Sequence, residues 1–314
     1  MTARSLIERG GTFFGLVLVA ALFGALVGPQ FFAAANIELM ARQMAIVSIA
    51  AVGMTIVIVT GGIDLSVGSI IALSTVVIAL LLRMHVDPAL AALGAIGAAA
   101  VCGLINGVLI TQLRVVPFIV TLGTMLIIRG AAKGLADERR IEAPVTWLND
   151  LLRVTRGETL MPSGIWAVLV LALLVAGLLR YTRFGRHVFA IGSNERMARL
   201  CGVAVPRTKV VVYAVSAGFA GFAGLLQFAK LSVGDPTVAV GLELDVIAAV
   251  IIGGGSLLGG RGTVLGTLIG AAIMTVIQVG CSQKGLANWV QQIVTGCIIV
   301  AAVALDRMRS SSAT

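Results

Sequence analysis

The chain has 314 residues, 59% of them hydrophobic and only 12% charged, with a mean hydropathy of +1.06. A soluble domain carries roughly 25% charged residues, so this chain cannot wet its own surface and a soluble globular fold is excluded. Its formal charge of +9 does not indicate nucleic acid, because the basic residues sit between apolar runs with no interleaved aromatic platform.

Split at charges, prolines and glycine clusters, the apolar runs fall near 12–28, 40–60, 66–83, 89–110, 115–133, 163–180, 209–230, 243–258, 263–280 and 286–306. Most approach the length that crosses a hydrocarbon core of roughly 30 Å, so an all-α, polytopic transmembrane bundle of about ten spans is expected. No extramembrane stretch is long enough for a second fold, and residues 1–314 are expected to form a single transmembrane domain. Cys102, Cys201, Cys281 and Cys297 lie far apart, and with only His85 and His187 beside them neither a disulfide framework nor a zinc site is expected.

At the N-terminus, Arg4 and Arg9 precede an apolar run from Phe13 to Val27 that ends at Gly28-Pro29. A cleavable signal is one reading; an uncleaved first span fits better, because further spans follow. GGIDLSVG at 61–68 joins two spans without a hydrophilic loop, so its backbone must be buried in protein or line a water-filled cavity. Asp64 is its only acid. It either couples or gates transport, or caps a helix opening at Leu65 with help from Ser66. The cap is the simpler account, since the spans offer no second carboxylate for a relay.

The next informative segments lie outside the bilayer. The loop 134–162 carries Arg139, Arg140, Arg153 and Arg156 balanced by acids and is the only sizeable outer segment. The segment 181–208 is basic: around it Arg180, Arg183, Arg186, Arg196, Arg199, Arg207 and Lys209 face the single acid Glu195. Positive charge in short loops marks the cytoplasmic side, and an even span count puts both termini there. Within it, Ser193 or Asn194 is a cap and Gly202 a stop for a short helix with an apolar stripe of Met197, Leu200 and Cys201. Such an exposed stripe needs a partner, either the membrane surface or a soluble subunit.

GGGSLLGGRG at 253–262 lacks the GK[ST] ending of a phosphate-binding loop and reads as a tight turn with Arg261 at the interface. The chain thus shows no ATPase motif. Glycines at small-xxx-small spacing, Gly103 with Gly107 and Gly262 with Gly266 and Gly270, predict close helix packing. The sparse polar residues of the spans, Asn106, Thr121, Thr124, Gln227, Gln278, Asn288, Gln291 and Gln292, are amides and hydroxyls. These suit a neutral, hydroxyl-rich solute, although helix-to-helix hydrogen bonding accounts for many of them. Asp64, Asn106, Thr121, Gln278, Asn288 and Gln291 are the candidates for a pathway or gate.

Four strings, AVGMTIVIVTGGIDLSVGSIIAL at 51–73, TLGTMLIIRG at 121–130, TRFGRHVFAIGSNERMARLCGV at 182–203 and GLELDVIAAVIIGGGSLLGGRGTVLGTLIGA at 241–271, resemble the sugar-type permeases of bacterial ABC importers. The resemblance runs from about residue 37 to the C-terminus. It implies a homodimer in the inner membrane, two cytoplasmic ATP-binding subunits that hold ATP and Mg, and a periplasmic sugar-binding protein on the outer face. It also implies that 194–202 is the helix inserted into the ATPase. Glu195, Ala198 and Gly202 match the family's coupling signature with a gap one residue longer than usual, and Gly185, Arg186 and Asn194 lie beside them. Rival expectations are an ion-coupled secondary transporter working through Asp64, an ABC permease for a nucleoside or branched-chain amino acid, and a scaffold without transport.

Overall fold

In a computed structural model, which describes residues 3–153 and 161–311, the chain is almost entirely helical. The elements are α1 (Ala3–Val27), a 3₁₀ turn (Pro29–Phe32), α2 (Ala34–Val59), α3 (Val67–Arg83), α4 (Pro88–Leu113), α5 (Pro117–Leu135), β1 (Ile141–Glu142), α6 (Trp147–Asp150), α7 (Ser163–Tyr181), α8 (Arg183–Ser193), α9 (Glu195–Leu200), α10 (Val205–Leu231), β2 (Val233–Gly234), α11 (Leu242–Ile252), α12 (Val264–Gln283) and α13 (Asn288–Ser311). Their boundaries follow local chemistry. Proline stands in the first turn of α4, α5 and α10, where a missing N–H costs nothing, and Asp87 and Thr263 accept hydrogen bonds from the first N–H groups of α4 and α12. Arg156 and the side chains of Arg4 and Arg9 lie outside the described residues.

The second helix, α2, forms the centre. Its residues from Ala45 to Val59 are all buried, as expected of a helix apolar on every side. Against it pack α10, α12, α11 and α7. Between α10 and α4 the fit is backbone to backbone: a Cβ on Gly103 would lie 2.2 Å from the Tyr213 carbonyl, and one on Gly107 would lie 2.6 Å from Val210 Cα. In lipid, where leucine gains nothing by leaving the acyl chains, such close approach holds helices together. The outer faces carry exposed Phe13, Phe14, Leu126, Ile127, Leu173 and Leu174.

Six helices (α2, α4, α5, α7, α10 and α12) are long and apolar enough to cross a membrane, and the apolar stretches Gly11–Val27, Val67–Arg83 and Asn288–Ala304 are shorter. The expected span 243–258 requires correction. It is an 11-residue helix, α11, about 16 Å long, followed by turns from Gly253. What precedes it is irregular. Gly234 lies against Thr75, Val76 and Ala79 of α3, while Ala239 and Glu243 reach Gly68 at the other end of that helix. The segment 235–241 thus descends along α3 without helical hydrogen bonds.

Irregular backbone at such depth must find partners in the protein. Here Arg129 of α5 donates to the carbonyls of Pro236 (3.0 Å) and Val238 (2.7 Å), and the Asp235 carboxylate accepts from the Thr237 N–H and hydroxyl. Thr75 exchanges hydrogen bonds with the Asp235 backbone.

The loops gather at two poles. At one, the Gly260 N–H donates to the Val59 carbonyl (2.8 Å), while Gly192 of α8 is pressed against Val59 O and Gly260 N. Ser256 and the Leu257 N–H donate to Asp306 near the end of α13, so that terminus lies at this pole too. At the other, about 40 Å along α10, β1 pairs antiparallel with β2, Arg140 bonds Asp235 (2.7 Å) and Asn149 donates to Ser232.

Candidate functional site

At the first pole the basic segment folds as two helices. The α8–α9 corner is set by Asn194, whose side chain accepts from the Met197 N–H (3.0 Å), so the cap is Asn194 rather than Ser193, and Gly202 ends the turn with φ +84°. Ala198 is buried against Ile191 and Val205, whereas Arg186, Arg196, Met197, Arg199 and Leu200 face outward. Gly185 is backed onto the Leu179 carbonyl, where a Cβ would lie 2.1 Å away. Glu195 accepts from Lys209 (2.7 Å) and Arg199 (3.2 Å). The Lys209 hydrogen bond and charge, with Arg199, outweigh partial burial and hold its carboxyl below the usual range.

The three upstream pathway candidates form a separate, buried cluster. Asp64 is fully buried and its Oδ1 accepts from the Ser66 N–H (2.9 Å) and hydroxyl (2.6 Å), while Asn106 donates to Ser66 Oγ (2.9 Å). Thr121 and Tyr213 both donate to the Ile63 carbonyl. The expected cap is not made: the helix opens at Val67 with Ser66 at its N-cap position and no side-chain bond to its first N–H groups, and Asp64 instead ties down the turn before it through Ser66. Asp64 Oδ2 and Asn106 Oδ1 are buried with no hydrogen-bond partner among the described residues.

The three downstream candidates, Gln278, Asn288 and Gln291, line a groove of about 640 Å³ among α2, α11, α12 and α13, together with Gln43 and Gln292. Gln278 lies late in α12 and Asn288 and Gln291 early in α13, so the groove sits towards the pole of β1 and β2. In its wall stands Asp245, whose Oδ2 accepts from Gln278 Nε2 (2.7 Å). The expectation that the spans hold no carboxylate beside Asp64 is therefore wrong: Glu243 and Asp245 lie in the first turn of α11. Arg129 was missed as well. The signals were the acid pair in LELD at 242–245 and a lone arginine within the apolar run 115–133.

Residues 36–303 match the family model described as branched-chain amino acid transport system / permease component. The chain is 37% identical over 296 residues to the ribose import permease protein RbsC of Escherichia coli strain K12, covering 94% of this chain and 92% of that protein. It is 39% identical over 308 residues to the protein of the same name from Bacillus subtilis strain 168, covering 97% and 94%. To the D-allose transport system permease protein AlsC of Escherichia coli strain K12 it is 35% identical over 305 residues, covering 96% and 93%. No solved structure matches it.

Proposed function

The chain belongs to the family of branched-chain amino acid transport system / permease components, and from that premise we propose that it is the membrane-spanning permease subunit of an ATP-driven importer for a monosaccharide. The observation that carries the reading is the end-to-end similarity to ribose import permeases at 37% and 39% identity. A mainly helical chain with a groove that sets several amides among apolar side chains suits that role, because the amides exchange hydrogen bonds with sugar hydroxyls. The sugar named for the relatives favours it over branched-chain amino acids, and among the described residues no basic side chain lines the groove itself, Lys230 being held by Gln43.

In this reading ATP and Mg bind to two separate cytoplasmic subunits, which press on α8 and α9 of each copy in a homodimer. The exposed Arg196, Met197, Arg199 and Leu200 support a protein partner there. A periplasmic sugar-binding protein docks on the opposite pole, at the described residues of the loop after α5 and the loop beyond β2. The basic loop and Asp306 share one pole, and α1 runs parallel to α12, with Gly15 beside Ile273 and Phe23 beside Gly280, which supports both termini in the cytoplasm of a bacterial inner membrane.

The test is uptake of labelled D-ribose, D-allose and D-fructose into proteoliposomes holding this chain with its ATPase and binding protein. Uptake that requires ATP and both partners and ignores ionophores is expected. Uptake by the chain alone, abolished by collapsing an ion gradient, would sink the proposal and return the mechanism to Asp64.

A further inference from the structure

Resting on that reading, we propose that the groove among α2, α11, α12 and α13 is where the permease itself touches the sugar, with Asp245 as the carboxylate that accepts its hydroxyl hydrogens. A chain with so little charge places a carboxylate in the wall of a groove lined by amides and apolar side chains only under constraint, since an ionisable group at that depth is costly. Asp245 is brought there by the broken crossing: 235–241 descends along α3 as irregular backbone, α11 starts part-way across, and its first turn faces α12.

The chemistry selects the ligand class. Asp245 Oδ2 is held by Gln278, and Oδ1 has no hydrogen-bond partner among the described residues. Asn288 and Gln292 offer both donors and acceptors, Gln43 keeps its Nε2 donor while its Oε1 accepts from Lys230, and Gln291 keeps its Oε1 acceptor while its Nε2 donates to the Leu286 carbonyl; among the described residues no basic side chain lines the groove itself. Anionic solutes are repelled by Asp245, whereas a neutral polyol donates to the carboxylate and exchanges hydrogen bonds with the amides. The volume of about 640 Å³ is within the usual range for small-molecule sites and leaves a monosaccharide room for water. Loose contact of this kind lets solute leave, as conduction requires. Gln278 is a positioning residue.

The experiment uses the complete complex in proteoliposomes with Asp245→Asn and, separately, Gln292→Leu, an exposed position whose change spares the packing. ATP hydrolysis stimulated by sugar-loaded binding protein and uptake of labelled D-ribose, D-allose and D-fructose are measured side by side. Asp245→Asn is expected to lower uptake about tenfold with stimulated hydrolysis within about twofold of wild type, and Gln292→Leu to alter the ratio of uptake among the three sugars. Equal loss of hydrolysis and uptake in Asp245→Asn, or uptake ratios in both variants matching wild type, overturns the proposal. Should Asp245→Asn fail to assemble, Gln292→Leu decides alone, and unchanged ratios overturn it. A complex that imports no sugar even as wild type instead refutes the permease reading.

Discussion

Asp64 shows how a single residue separates two mechanisms. Its Oδ1 satisfies two Ser66 donors, a task an amide oxygen performs equally well, and no cationic side chain bonds it among the described residues. Asp64→Asn is therefore expected to keep ATP-driven uptake within about threefold of wild type, while Asp64→Ala strands both donors at about 1–3 kcal/mol each and lowers the melting temperature in detergent. An ion-coupled carrier would behave otherwise, losing transport in the amide variant.

Glu195 is subject to a similar argument at the exposed pole. Its carboxyl is held below the usual range, so its pairing with Lys209 and Arg199 is complete above the ordinary carboxylate pKa and lost only as pH falls through the lower folded value. Coupling of uptake to hydrolysis, assayed as their ratio, is expected to stay flat from pH 8 to about 5. Glu195→Gln is expected to impair that ratio while costing under about 1 kcal/mol of stability, as exposed ion pairs do.

Among elements, the irregular segment 235–241 depends on Arg129. Replacing this guanidinium with Met removes donors from two carbonyls buried beside α3, and is expected to cost about 2–5 kcal/mol in a denaturation assay. Both bonds leave one nitrogen, Nη1, so Lys at the same place, which keeps the charge and a multiple donor but at a different reach, is expected to recover part of the loss. Helix contacts sort the glycines in the same way. Gly103→Ala drives a methyl into the Tyr213 carbonyl and is expected to destabilise by about 1–3 kcal/mol, whereas Gly218→Ala on α10 meets nothing within 4 Å and is expected to be neutral. Differential scanning fluorimetry of the purified subunit distinguishes the two.

At the scale of the whole molecule, apolar run length located the long helices, because the bilayer demands the same length of each. It failed at 243–258, where hydropathy cannot distinguish a helix that crosses from a short one whose neighbours supply the remaining depth. The turn at Asn194 and the stop at Gly202 were legible, since capping depends on residues a few positions apart. The grouping of pathway residues was not. Asp64, Asn106 and Thr121 come together in one cluster and Gln278, Asn288 and Gln291 in another, as tertiary packing alone determines. Asp245 escaped notice because its run looked like an ordinary span, in which an acid at the edge suggests a headgroup neighbour.

The glycine contacts at the pole of α8 have a mechanical consequence. Gly192, Gly259 and Gly260 meet Val59 and Gly61 through backbone atoms, with no side chain between them that can change rotamer. A displacement of α8 therefore reaches the end of α2 and the approach to α12 as through a rigid gear tooth, with little of the stroke absorbed on the way. Adding a methyl at Gly192, where it would lie 1.8 Å from Val59 O, shifts the gear out of mesh. The resulting machine would idle, consuming fuel at a normal pace while its cargo stays outside.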